Sequence, residues 1–197
     1  MFLDMHRVSL HRHYYRISLD QHGLYCKLDA AMTDASTAPV SEDEVESNLE
    51  KQQQYYEKRE QAAVIGITFA GMCLEAFFYD YAASKLGDNF TNEHLDKLDL
   101  PSKLLIIPRL VCGKGVEKSS PVYEKVKRLS KDRNYLVHFK SKGFELTDLR
   151  KASEFHDALN ERFRRALTNG IDAIRTVMTA LGEIHAAPKY YLQLVCS

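Results

Sequence analysis

The residues with the clearest chemical potential in this 197-residue chain are Arg133, Asn134 and His138, in the run RNYLVH. A histidine titrates near neutrality and can take up or release a proton. An arginine can grip two phosphate oxygens in a fixed fork. Side by side, the two suit a phosphodiester-cleaving site; the plainer reading is solvated surface charge. Arg133 belongs to an apolar stripe, because Val122, Val126, Leu129, Arg133 and Leu136 recur at steps of four and three. An inward-facing guanidinium needs a partner, since an unpaired buried charge costs several kcal/mol. The best candidate is Glu75, the acid that ends the apolar run Ala62 to Leu74. A purely structural ion pair would account for both residues equally well.

On an ideal helix, side chains five positions apart diverge by roughly 140°. Arg133 and His138 therefore do not aim at one point on a straight helix, whereas Asn134 and His138, four apart, share a face. Either the last turn unwinds near FKSKG, or a second copy completes the site across a two-fold axis. Local charge favours an anionic partner. Between Pro101 and Lys142 there are eleven basic residues against three acids, a local excess of eight, although the whole chain has a formal net charge of +0. Lys127, Arg128, Lys131 and Lys140 lie nearest the candidate site and are the expected phosphate-binding residues.

The elements that must position these groups read as helices. Ser41 with Glu44 forms a capping box, and helical spacing continues from Leu49 to about Leu86, as one helix or two joined near residue 60. Gly87 is the expected stop. TNEHLDKL reads as a short helix, and LPSKLLIIPRLVCGKG as a helix broken or kinked at Pro108. Ser120 followed by Pro121 starts the helix that carries Arg133. Thr147 opens the last helical stretch, with a weak point at TNG (168–170). The expected fold is mainly α, a bundle of four to five helices over residues 41–186.

Residues 1–40 read as an extension. YYRISLD and LYCKLDA around QHG suggest a short β-hairpin, and TDASTAPVS a linker. The tail 187–197, with KYYLQLVC, has strand character too. The four scattered cysteines form no C-x-x-C pair, which argues against structural zinc and a disulfide framework and favours a reducing cytoplasm. No signal peptide is apparent, and the run Ala62 to Leu74 falls short of the ~20 residues of a membrane span. Histidines 6, 11 and 13 lack nearby cysteine or acidic ligands, so no metal or cofactor is expected. The aromatic pairs Tyr55–Tyr56 and Phe77–Phe78 read as core or interface.

KDRNYLVHF, preceded by a capped helix and by the upstream helix CLEAFFYDYAASKLG, resembles the HEPN superfamily over roughly residues 41–181. Its signature is an arginine, a polar residue and then a histidine, with four to six residues between the two ends. Arg133, Asn134 and His138 fit it with four. The resemblance implies a small, dimeric, up-and-down helical bundle and, in many members, metal-independent endoribonuclease activity in toxin, antiphage or RNA-processing roles. It assigns proton transfer at the ribose 2′-OH or the leaving 5′-oxygen to His138 and phosphate stabilisation to Arg133. Asn134 orients, and Glu75 supports. It admits an antitoxin protein as partner. Some members carry a tyrosine two residues after the histidine; here Lys140 stands there, so control by modification at that tyrosine is in doubt. Other members are non-catalytic modules that bind nucleotide, RNA or protein, which is the alternative expectation.

Overall fold

The computed structural model describes residues 8–37, 41–141, 143, 145 and 149–185. Among them there are helices and no strands. They are α1 (His11–Thr37), α2 (Val45–Leu86), α3 (Asp88–Phe90), which continues into one π-helical turn (Thr91–Leu95), α4 (Leu100–Cys112), α5 (Pro121–Val137) and α6 (Leu149–Ile184).

The expected stop of α2 at Gly87 and start of α5 at Ser120–Pro121 are met, whereas the Ser41–Glu44 box forms in part, its serine hydroxyl donating to the carboxylate and not capping a backbone N–H. A 3-10 turn over Glu42–Glu44 leads into α2, and the Glu44 carboxylate accepts from the Ser41 hydroxyl at 2.7 Å and from the Ser41 backbone N–H at 3.5 Å. α2 runs unbroken for 42 residues and stops at Gly87, whose φ of 87° suits a residue without Cβ. At α5 the Ser120 hydroxyl accepts from the Tyr123 N–H at 3.3 Å, with Pro121 in the first turn.

Three expectations are overturned. The hairpin around residues 14–30 is instead the middle of α1. His11, Tyr15, Ser18, Tyr25 and Leu28 are buried at helical, not alternating, spacing. Gly23 sits in mid-helix rather than in a turn. Of the break or kink expected at Pro108, the break is excluded. The helix runs four residues beyond it, with Leu104, Ile107 and Pro108 itself buried. TNG does not weaken α6, because Gly170 serves packing: a Cβ there would lie 2.9 Å from Ala70 Cβ. The strand expected at 187–197 and the helix start at Thr147 lie outside the described residues.

α1 and α2 are antiparallel, with His11 beside Asp80 at one end and Asp29 beside Arg59 at the other. α6 runs parallel to α2, from the Tyr56–His156 contact to the Tyr81–His185 contact. α5 lies antiparallel on α6, with Asn169 donating to the Lys125 carbonyl and Arg162 paired with Asp132. α4 packs on α2 and α5. One core results, centred on Ile67, Leu74, Phe77, Phe78, Leu104, Leu129, Leu167 and Ile174. Each of these side chains contributes roughly 1.5–3 kcal/mol by leaving water. α2 is also the one described helix long and apolar enough to cross a membrane, and 56% of that stretch is buried by its neighbours, as befits the central helix of a bundle.

Candidate functional site

α5 buries Val126 and Leu129 in the core, and half-buried Val122, Tyr123, Tyr135 and Leu136 pack against it. Arg133, one turn further along the same stripe, is half-buried. Its aliphatic stem rests on α2 at Gly71, where a Cβ would come within 2.8 Å of Arg133 Cδ. One turn along α2, Glu75 Oε1 accepts from Arg133 Nη1 at 3.5 Å. The expected pair therefore forms, but at the outer limit of a hydrogen bond.

The other oxygen of Glu75 accepts from Lys103 of α4 in a shorter contact. Lys103 is 5% exposed at its side chain and also lies 3.9 Å from Asp96. The deeply held cation beside Glu75 is thus Lys103, a residue the sequence reading passed over. A signal was present: Leu100, Lys103, Leu104 and Ile107 share one helical face, and the other three are core. Because Lys103 supports Glu75, Arg133 is not needed to balance it. Among the described residues Glu75 is the one hydrogen-bond acceptor of Arg133, and most of its donors are left for another.

His138 caps α5. Its backbone N–H reaches the carbonyls of Asn134 and Leu136, and its side chain is exposed. Among the described residues the imidazole has no hydrogen bond, ion pair or ring contact. α5 does not unwind before His138, so the helical divergence from Arg133 stands. Arg133 leans on α2, while His138 faces solvent beside exposed Val137 and Phe139. The structure does not bring the two side chains together within one protomer.

What the helix does bring together is a polar stripe. Lys127, Lys131, Asn134 and His138 follow one another at steps of four, three and four, within about 60° of arc and about 16 Å of length. Lys131, Asn134 and His138 are exposed; Lys127 is half-buried, 3.2 Å from Glu124 and 5.8 Å from the Tyr123 ring centroid. Arg128 is exposed on the flank of the stripe, and Lys140 is exposed just past the helix end. Behind the stripe, Arg162 of α6 braces α5. It pairs with Asp132 at 3.1 Å and lies 3.5 Å above the Tyr135 ring. Burial raises the Asp132 carboxyl above its ordinary value and outweighs the opposing pull of Arg162.

One face of α2 is incompletely covered by its own chain. Ile65, Phe69, Met72, Ala76 and Tyr79 form a continuous helical stripe of half-buried side chains, with exposed Val64 alongside. Gly71 and Glu75, and with them Arg133, mark one edge of that stripe. In comparisons with known proteins, no family model, no curated protein and no solved structure matched the chain.

Proposed function

We propose that this protein is a HEPN-like, metal-independent endoribonuclease that acts as a homodimer, with Arg133 and His138 meeting across the two-fold axis. The single observation that carries the reading is the α5 stripe of Lys127, Lys131, Asn134 and His138, with a half-exposed Arg133 on the α2-facing side of the same helix. The lysines hold the RNA backbone. His138 takes the proton from a ribose 2′-OH, whose oxygen forms a bond to the adjacent phosphorus. The bond from phosphorus to the 5′-oxygen breaks, and that oxygen takes a proton from an imidazolium. The products are a 2′,3′-cyclic phosphate and a free 5′-hydroxyl. Arg133 stabilises the charge that gathers on the non-bridging oxygens. The incompletely covered α2 stripe is the surface for the second copy, because it is apolar and runs alongside Arg133. The biological setting consistent with this chemistry is a toxin or antiphage response in the cytoplasm.

A second reading is favoured by one specific observation: Arg133 is tied, loosely, to Glu75 and not to anything near His138. On that reading the same stripe binds RNA or nucleotide without cutting it. Incubating purified protein with single-stranded RNA in EDTA separates the two. Cleavage that disappears in His138→Ala, with folding and dimerisation intact, supports the nuclease. Retention of RNA without cleavage by the wild type supports the binding module.

A further inference from the structure

Beyond the end of α5 the bundle narrows to α1, α2 and α6, and its interior there is polar. Arg59 of α2 is buried at 7% exposure, its guanidinium carbon 5.6 Å from the Tyr56 ring centroid and 5.8 Å from that of Tyr25. Nη1 donates to Asp29 Oδ1 at 2.6 Å. Nε is shut off from solvent without an acceptor, and Nη2 has none among the described residues. A buried charged N–H with no acceptor is costly. With Nε sealed, the donor that Arg59 can offer to an oxyanion is Nη2.

Arg59 lines a cleft of about 520 Å³, open to solvent, together with Gln52, His156, Asn160 and Arg164. Two of the acids in its wall are already engaged. Asp29 holds Arg59, and Glu161 holds Arg164 through bonds of 2.9 and 3.0 Å. Asp157 is the acid left over. The state of His156 follows from its neighbours. Tyr56 has one hydroxyl proton and donates it to Glu60 Oε1 at 2.9 Å. Its 2.8 Å contact with His156 Nδ1 therefore requires Nδ1–H to be the donor, which leaves Nε2 for a ligand. Burial first, and then Glu60, push the Tyr56 phenol far above its ordinary value, so it stays a neutral link.

We infer that this cleft binds a small organic phosphate monoester. Arg59 Nη2 and Arg164 donate to the phosphate oxygens, and Asp157, Gln52, Asn160 and the His156 Nε2 acceptor take hydroxyls of the organic part. A bare phosphate would leave most of the volume empty, and a flat carboxylate would engage two separated guanidinium groups less completely than a tetrahedral head. The site uses no residue of α5 and does not depend on the ribonuclease reading.

The test is thermal unfolding and calorimetry of the full chain at neutral pH with ribose 5-phosphate, inorganic phosphate, ribose and succinate. Ribose 5-phosphate should raise Tm and bind most tightly, inorganic phosphate should bind more weakly, and ribose should do nothing. Arg59 is buried and its variants risk misfolding, so the variants are Arg164→Gln and His156→Gln, both at exposed positions. Each should weaken ribose 5-phosphate binding roughly tenfold while leaving RNA cleavage unchanged. The inference is overturned if neither phosphate raises Tm at about 10 mM, or if Arg164→Gln binds as tightly as wild type. Succinate binding as well as ribose 5-phosphate would overturn the phosphate assignment.

Discussion

Glu75 sits between two cations that differ in depth, and the difference decides which one holds it. Lys103 is nearly sealed from water, whereas Arg133 retains about a third of its exposure. Removing one partner of a buried pair costs about 3–5 kcal/mol, while a half-exposed pair at 3.5 Å falls in the range of about 0–1 kcal/mol. Lys103→Ala should therefore lower the urea midpoint far more than Arg133→Met, and equal losses would show that Arg133 is structural. Arg133→Met should still abolish RNA cleavage if the proposed chemistry holds. Asp132 supplies a pH test with a definite sign. Its folded value is raised above 3.8, so the folded state binds the proton more tightly than the unfolded one. Stability should fall as pH rises from that value through the raised one. Asp132→Asn should flatten this slope in chemical denaturation followed against pH; an unchanged slope would assign it to another group.

At the scale of elements, α1 is where local pattern and tertiary context disagree most. Its tyrosines and β-branched residues beside a glycine satisfy the composition of a hairpin. Yet the spacing of His11, Tyr15, Ser18, Tyr25 and Leu28 is that of a face buried on α2. Gly23 tells the two structures apart. In a tight turn with positive φ, alanine would be destabilising. In mid-helix, with nothing within 4 Å of a new Cβ, Gly23→Ala should stabilise by about 0.5–1 kcal/mol. A lower Tm in that variant would restore the hairpin. Gly170→Ala should behave in the opposite way despite the same gain in helix propensity. Its Cβ would meet Ala70 at 2.9 Å, and overpacking of this kind costs about 1–3 kcal/mol.

For the whole molecule, the question is whether one chain or two makes the site. A straight α5 keeps Arg133 and His138 apart, so a composite site makes a quantitative prediction. Arg133→Ala and His138→Ala should each be inactive alone. Co-refolded together, they should recover about a quarter of wild-type cleavage, since random pairing yields one intact site in half of the dimers. No recovery from a well-mixed heterodimer would place both residues in one chain's site. If the proposed homodimer forms through the incompletely covered α2 stripe, Met72→Lys in its middle should shift dimer to monomer in light scattering and remove cleavage with it.

The sequence alone determined what depends on neighbours along the chain. It marked the mainly α class, the Ser41–Glu44 capping box, the Gly87 stop, the Ser120–Pro121 start of α5 and the pairing of Arg133 with Glu75. Caps and helical periodicity act over a turn or two, and out-of-pattern charges announce that they need partners. Tertiary structure alone decided that residues 14–30 are helix, that Lys103 outranks Arg133 at Glu75, and that Gly170 is a packing glycine. It also gathered Arg59, Tyr56 and His156 from distant positions into one polar cleft. Those outcomes depend on which faces meet and how deeply each group is buried, and such distances have no counterpart along the chain.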